Sequence, residues 1–125
     1  MAKLGFIGLG IMGKPMAGHL LAAGHTLHVF DPVAERVKEL ASKGAVACES
    51  CQAVAQESDV IFIMVPDTPD VDAVLFGKDG VTEGVKPSSV VVDMSSISPI
   101  ATKEFAKKLA TLGVKMLDAP VSGGQ

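Results

Sequence analysis

Residues 8–13 read Gly8-Leu9-Gly10-Ile11-Met12-Gly13, a G-x-G-x-x-G spacing suited to one kind of chemistry, the holding of a diphosphate. Gly8 would permit a tight turn, Gly10 would let the main chain approach a pyrophosphate, and Gly13 would let a helix lie close to a strand. A helix opening here would aim unpaired N–H groups and a partial positive charge at the phosphates. Nothing in a plain strand-to-helix turn asks for three glycines at this spacing. Asp31 stands 18 residues after Gly13, near the separation of about 20 at which a dinucleotide fold places its ribose-binding acid. Its carboxylate would accept hydrogen bonds from the adenosine 2′- and 3′-hydroxyls and repel a 2′-phosphate, which favours NAD and leaves NADP open. Capping of the following helix is a second use for the same carboxylate, compatible with the first. Arg36, the arginine near this acid, reads as a solvated helix residue before it reads as a phosphate clamp.

Three further polar segments hold Pro or Ser where a strand is predicted to end: Val65-Pro66-Asp67-Thr68-Pro69, Asp93-Met94-Ser95-Ser96, and Asp118-Ala119-Pro120-Val121-Ser122-Gly123-Gly124. Ligands of open parallel sheets bind at that edge, so the three are candidate site loops, although each is also explicable as a capped turn. Cys48 and Cys51 form a C-x-x-C, which in a chain with this patterning can mark a redox pair or half a zinc site. His19, His25 and His28 stand at no ligand-pair spacing to the cysteines, so no metal site is expected, and ordinary packing of two small residues is the simpler reading.

The elements that must position these residues follow from periodicity. Apolar runs at 4–7, 26–30, 45–47, 60–65, 90–94 and 114–117 are predicted strands, the run at 60–65 being apolar on both faces as a central parallel strand must be. Between them lie predicted helices at about 12–23, then from Pro32 to the stop at Gly44, at 52–57, from Thr68-Pro69 onward, and from Ser98-Pro99 to Gly113. Val33, Val37, Leu40 and Ala41 give the second helix its inner stripe, and Ala101, Phe105, Leu109 and Leu112 give the last helix its own. Strands alternating with helices across short turns make a Rossmann-type, doubly wound α/β parallel sheet. The chain has 125 residues, enough for one domain, with 48% hydrophobic and 20% charged residues. A net charge of -3 argues against nucleic acid or an anionic membrane as partner. No apolar run approaches the ~20 residues of a membrane span, and no signal peptide is visible ahead of the first strand, so a cytoplasmic location is expected.

These stretches together resemble the N-terminal part of the β-hydroxyacid dehydrogenase family, to which 3-hydroxyisobutyrate and 6-phosphogluconate dehydrogenases belong. The matching words are residues 5–13, Met64-Val65-Pro66-Asp67, Asp93-Met94-Ser95-Ser96 and residues 118–124, and they span nearly the whole chain. Within the family, residues 62–67 and 93–99 are most similar to the tartronate semialdehyde reductase branch. The resemblance implies a cofactor lined by residues 8–13, Asp31, Val65 and Pro66, with Ser95 or Ser96 at the nicotinamide end. It implies a substrate carboxylate or hydroxyl anchored by Ser122, Gly123 and Gly124. It also implies that the family's catalytic lysine, its partner asparagine and a closing helical domain lie beyond Gln125. Residues 1–125 would then be the N-terminal, dinucleotide-binding part of a longer homo-oligomeric protein, its sheet truncated at the C-terminal end. Such a chain would bind cofactor without turnover, because Lys14, Lys103, Lys107 and Lys108 read as surface helix charges. The residues by themselves leave two other classes open, a non-catalytic nucleotide-binding or oligomerisation module and an adenosylmethionine-dependent methyltransferase.

Overall fold

The computed structural model describes residues 3–95 and 99–119. Six strands alternate with five helices: β1 Lys3–Ile7, α1 Gly13–Ala22, β2 Thr26–Phe30, α2 Ala34–Ala41, β3 Val46–Ala47, α3 Cys51–Gln56, β4 Val60–Ile63, α4 Thr68–Phe76, β5 Val90–Asp93, α5 Pro99–Ala110 and β6 Lys115–Asp118. A 3-10 turn at Val81–Glu83 interrupts the loop after α4. The sheet order is β3-β2-β1-β4-β5-β6, and every pairing is parallel. That order reverses between β1 and β4, where an open α/β sheet leaves a crevice beyond the strand C-termini.

The period-2 alternation of the strands divides the core into two layers. Leu4 and Phe6 of β1 face α1 and α2 together with Leu27, Val29, Val37 and Leu40. Ile7, Ile61, Ile63 and Val91 face the other way, onto Val54 of α3, Val71 and Leu75 of α4, and Phe105 and Leu109 of α5. Gly5 belongs to this second face and lets α3 close on the sheet, since a Cβ there would stand 2.5 Å from Val54 Cγ1. The sheet is therefore doubly wound, as predicted, with its most buried strands at the centre.

The boundaries differ from expectation in four places. Pro32 does not open α2: the helix starts at Ala34, because residues 31–33 form a bend in which Val33 is extended and its N–H is held by the Asp31 carboxylate. Val33 accordingly leaves the inner stripe and is 43% exposed. The cap of α4 is Asp67, whose Oδ1 accepts from Thr68 N–H at 2.8 Å, so the helix opens one residue earlier than a Thr68 cap would have it. Leu112 lies past the end of α5 in a turn and is exposed, so only the first three predicted positions face inward, Phe105 and Leu109 being buried and Ala101 half-buried.

Candidate functional site

The three fingerprint glycines meet three different demands. Gly8 has φ +99°, a conformation L side chains rarely adopt, and a Cβ there would overlap the Met64 carbonyl of the neighbouring strand end. Gly13, the first residue of α1, stands so close to Gly8 that its Cβ would overlap the Gly8 carbonyl, with Phe6 Cε1 at 3.2 Å. Gly8 and Gly13 are thus required by packing alone, in the turn and helix–strand roles their positions imply. Gly10 is different. A Cβ at Gly10 would meet only Arg36 Nη1, at 3.9 Å, so packing does not ask for a glycine here. Free space over a backbone that could carry a side chain is what a closely approaching ligand requires.

Helix α1 begins beside Gly10 with no side-chain cap and no acidic residue in its first turn. Ser50 caps α3 and Asp67 caps α4, whereas α1, like α2, has no side-chain cap, and the first turn of α1 lines the cleft with its positive end. Across the crevice, Asp31 is 5% exposed. Its Oδ2 accepts from Leu9 N–H at 2.7 Å and its Oδ1 from Val33 N–H at 2.8 Å. Arg36 Nη1 stands 3.5 Å from Oδ1. A carboxylate offers about four acceptor positions, so two remain for a ribose diol after the amides are served. The carboxylate does not cap α2, whose N-cap Val33 has no side-chain partner; it fixes the glycine turn to the end of β2.

The cleft so formed has a volume of about 680 Å³ and runs from the glycine turn past Asp31 to Val65 and Pro66, a size suited to a cofactor. Of the residues singled out in the sequence, Gly8, Gly10, Ile11, Met12, Gly13, Asp31, Val65 and Pro66 line it together. Leu9 is turned away: its side chain is buried in the core and its amide serves Asp31, so it positions the acid. Ser95 is buried beside the cleft, and its Oγ accepts from Val65 N–H at 2.9 Å, bracing the β4 loop against the β5 loop. Ser96, Ser122, Gly123 and Gly124 lie outside the described residues.

Periodicity missed part of the wall. Cys51, Asp70, Ala73 and Val74 line the cleft from α3 and α4, and Val33 and Arg36 line it from the far side of Asp31. Ile11 at the tip of the glycine turn is 92% exposed at the edge of the cleft. Asp93, fully buried, holds Ser95 N–H at 2.9 Å while its Oδ2 has no partner among the described residues. Burial raises its pKa above the usual carboxylate range, the Ser95 hydrogen bonds oppose the shift, and Asp118 adds to it. Burial also raises the thiols, Cys51 to about 11, and Cys48 with help from Glu57. Both cysteines are free, and protonated thiols of this kind are poor redox nucleophiles. No group of three metal-ligating side chains occurs among the described residues, and no helix among them is long and apolar enough to cross a membrane.

Residues 3–125 match the family model described as the NAD binding domain of 6-phosphogluconate dehydrogenase. The chain is 58% identical over 125 residues to the 2-hydroxy-3-oxopropionate reductase of Escherichia coli (strain K12), covering 98% of this chain and 42% of that protein. It superposes with a TM-score of 0.92 and 38% identity on the crystal structure of 3-hydroxyisobutyrate dehydrogenase from Salmonella typhimurium, covering 99% of this chain and 43% of that one. It also superposes, with a TM-score of 0.90 and 30% identity over 97% of this chain and 43% of the other, on Psf3 in complex with NADP+ and 2-OPP. The chain therefore spans about two-fifths of the length of these relatives. With the fingerprint, the strand order and the match over residues 3–125 in agreement, the chain belongs to the family of the NAD binding domain of 6-phosphogluconate dehydrogenase, within the β-hydroxyacid dehydrogenases.

Proposed function

We propose that residues 1–125 are the N-terminal cofactor-binding domain of an NAD(P)-dependent oxidoreductase. Its reaction is reversible hydride transfer between a nicotinamide cofactor and a small 3-hydroxy or 3-oxo acid, most specifically tartronate semialdehyde to D-glycerate. The observation that carries the reading is Gly10, open to the cleft at the uncapped mouth of α1 and opposite Asp31. The identity of 58% to a 2-hydroxy-3-oxopropionate reductase supports the choice of substrate.

When bound, the cofactor supplies or receives the hydride. Gly10 and the first amides of α1 receive the pyrophosphate, and Ile11 and Val33 cover apolar faces of the ligand. Asp31 takes the ribose diol with the acceptor positions that Leu9 and Val33 leave open, and the preferred cofactor is NAD. Val65, its amide held by Ser95, and Pro66 set the floor toward the nicotinamide end, and Ser96 is assigned to the cofactor site. Ser122, Gly123 and Gly124 hold the substrate. The acid/base for the alcohol–carbonyl pair is outside these residues, in a helical domain of a longer, homo-oligomeric protein. Calorimetry on the folded 125-residue chain should find NADH binding, with no turnover of tartronate semialdehyde. Turnover by this chain alone would contradict the placement of the acid/base, and absence of any dinucleotide binding would overturn the whole reading.

A further inference from the structure

Asp93 ends β5 fully buried, yet it does not line the cleft. Val91 and Asp93 are the two buried positions of that strand, so an apolar side chain would satisfy packing at its end. Burying a carboxyl there costs stability that a valine would not lose. What the carboxyl does in return is visible in its contacts. Oδ1 accepts from Ser95 N–H at 2.9 Å, two residues on, the turn that an aspartate makes with its own backbone. The Ser95 hydroxyl oxygen in turn accepts from Val65 N–H at 2.9 Å, and Val65 lines the cleft beside Pro66.

The main chain of the same residue reaches a third segment. Asp93 lies in register between Ile63 of β4 and Asp118 of β6. Its carbonyl accepts from Ala119 N–H at 2.9 Å, just past the end of β6, and the next amide, Met94 N–H, donates to Ile63 O at 2.8 Å. The end of β5 is thereby tied to the ends of both its neighbours. Asp31 has the same form on the other side of the cleft, holding Val33 N–H two residues on and Leu9 N–H of the glycine turn. Asp31 fixes its loop directly, whereas Asp93 reaches the loop after β4 through Ser95.

We infer that Asp93 is a positioning residue of the cofactor site: acting through Ser95, it holds Val65 and Pro66 where the nicotinamide half of a dinucleotide lies across them. Its carbonyl bond to Ala119 keeps the segment after β6 in step with that floor. The adenosine and pyrophosphate half rests on Asp31 and the glycine turn and draws nothing from Asp93. The inference rests on the dinucleotide reading above and adds to that site a residue outside the cleft wall.

The test measures dissociation constants for NADH and for ADP in the wild-type chain, Asp93→Ala, Asp93→Asn and Ser95→Ala, with circular dichroism verifying the fold of each. ADP carries the adenosine and both phosphates but no nicotinamide. Loss of one hydrogen bond that holds a binding group in place corresponds to about tenfold in affinity. NADH should weaken by about that factor in Asp93→Ala and Ser95→Ala while ADP stays within about twofold, a split that a merely structural role would not produce. Asp93→Asn keeps an acceptor for Ser95 N–H and should bind NADH within about threefold of wild type. Equal weakening of NADH and ADP, unchanged NADH binding in Asp93→Ala, or an asparagine variant as weak as the alanine one overturns the inference. Should Asp93→Ala fail to fold, Ser95→Ala decides, since it cuts the same connection at Val65: weakening confined to NADH supports the inference, and any other result overturns it. Failure of the wild type to bind NADH is a separate result, visible before any variant is made, and it removes the underlying reading instead.

Discussion

Alanine at each fingerprint glycine should give three different phenotypes, because the three positions meet three different surroundings. At Gly8, φ +99° makes any side chain strained, at a cost of about 1–3 kcal/mol. The new methyl also overlaps the Met64 carbonyl, at the point where β1 and β4 run side by side and Met64 N–H is bonded to Ile7 O at 2.9 Å. Forced overpacking of this kind adds about 1–3 kcal/mol, for a total of roughly 2–6 kcal/mol, a large part of the 5–15 kcal/mol by which a domain is stable. At Gly13 the dihedral is ordinary and the overlap is with the Gly8 carbonyl. Alanine's better helix propensity returns about 1 kcal/mol of the overpacking cost, leaving a loss of about 0–2 kcal/mol. At Gly10 the nearest atom is the movable end of Arg36 at 3.9 Å, so alanine should be neutral or stabilising by up to about 1 kcal/mol through the unfolded chain.

Urea denaturation should therefore order the midpoints Gly10→Ala at or above wild type, then Gly13→Ala, then Gly8→Ala. NADH titration should invert the picture for Gly10→Ala, which should fold as wild type yet bind at least about tenfold more weakly, since its methyl occupies the approach to the pyrophosphate. A folded Gly10→Ala with wild-type affinity would refute the close-approach argument. A Gly8→Ala midpoint equal to wild type would refute the packing argument, and neither failure would imply the other.

Two other groups give sharp expectations. Burial raises the Asp93 pKa in the folded chain, so the folded state holds that proton more tightly than the unfolded state, and stability is lost as pH rises from the ordinary carboxylate range through the raised value. Asp93→Asn, which keeps a carbonyl oxygen for Ser95 N–H, should gain on wild type over that window in pH-dependent urea titrations; a difference independent of pH would contradict the buried-acid account. For the cysteines, burial and a thiol pushed up to about 11 at Cys51 predict slow native labelling by iodoacetamide at pH 8, slower still at Cys51 when NADH covers the cleft it lines. Rapid formation of a Cys48–Cys51 disulfide would reverse that conclusion.

The doubly wound parallel sheet and the pairing of residues 8–13 with Asp31 are legible in the residues, because strand–helix alternation and the spacing along one βαβ unit carry them, whereas the strand order and the split of the core into two layers come from the structure. β2 was placed residue for residue at Thr26–Phe30, since its apolar alternation ends at a charged residue followed by proline. What escaped was decided by contacts between distant segments. Val33 looked like the first residue of an apolar stripe, but the Asp31 carboxylate captures its amide and holds it out of the helix. Arg36 looked like an exposed helix residue because no periodicity shows that α2 points its first turn back at the glycine turn. Cys51, Asp70, Ala73 and Val74 come to the cleft only through the packing of α3 and α4 on the far face of β4.

The glycines carry the more general point about how a fingerprint should be weighed. Gly8 and Gly13 would be required in a chain that bound nothing, since the β1–β4 junction and the approach of α1 to the turn already demand them. A match at those two positions is therefore evidence for a fold. The evidence for a ligand sits in the middle glycine, open to the cleft, and in the uncapped first turn of α1 beside it, two features that leave stability ungained unless something lies across them. A chain carrying the same outer glycines but a larger residue at position 10 would be expected to keep the sheet and lose the pyrophosphate.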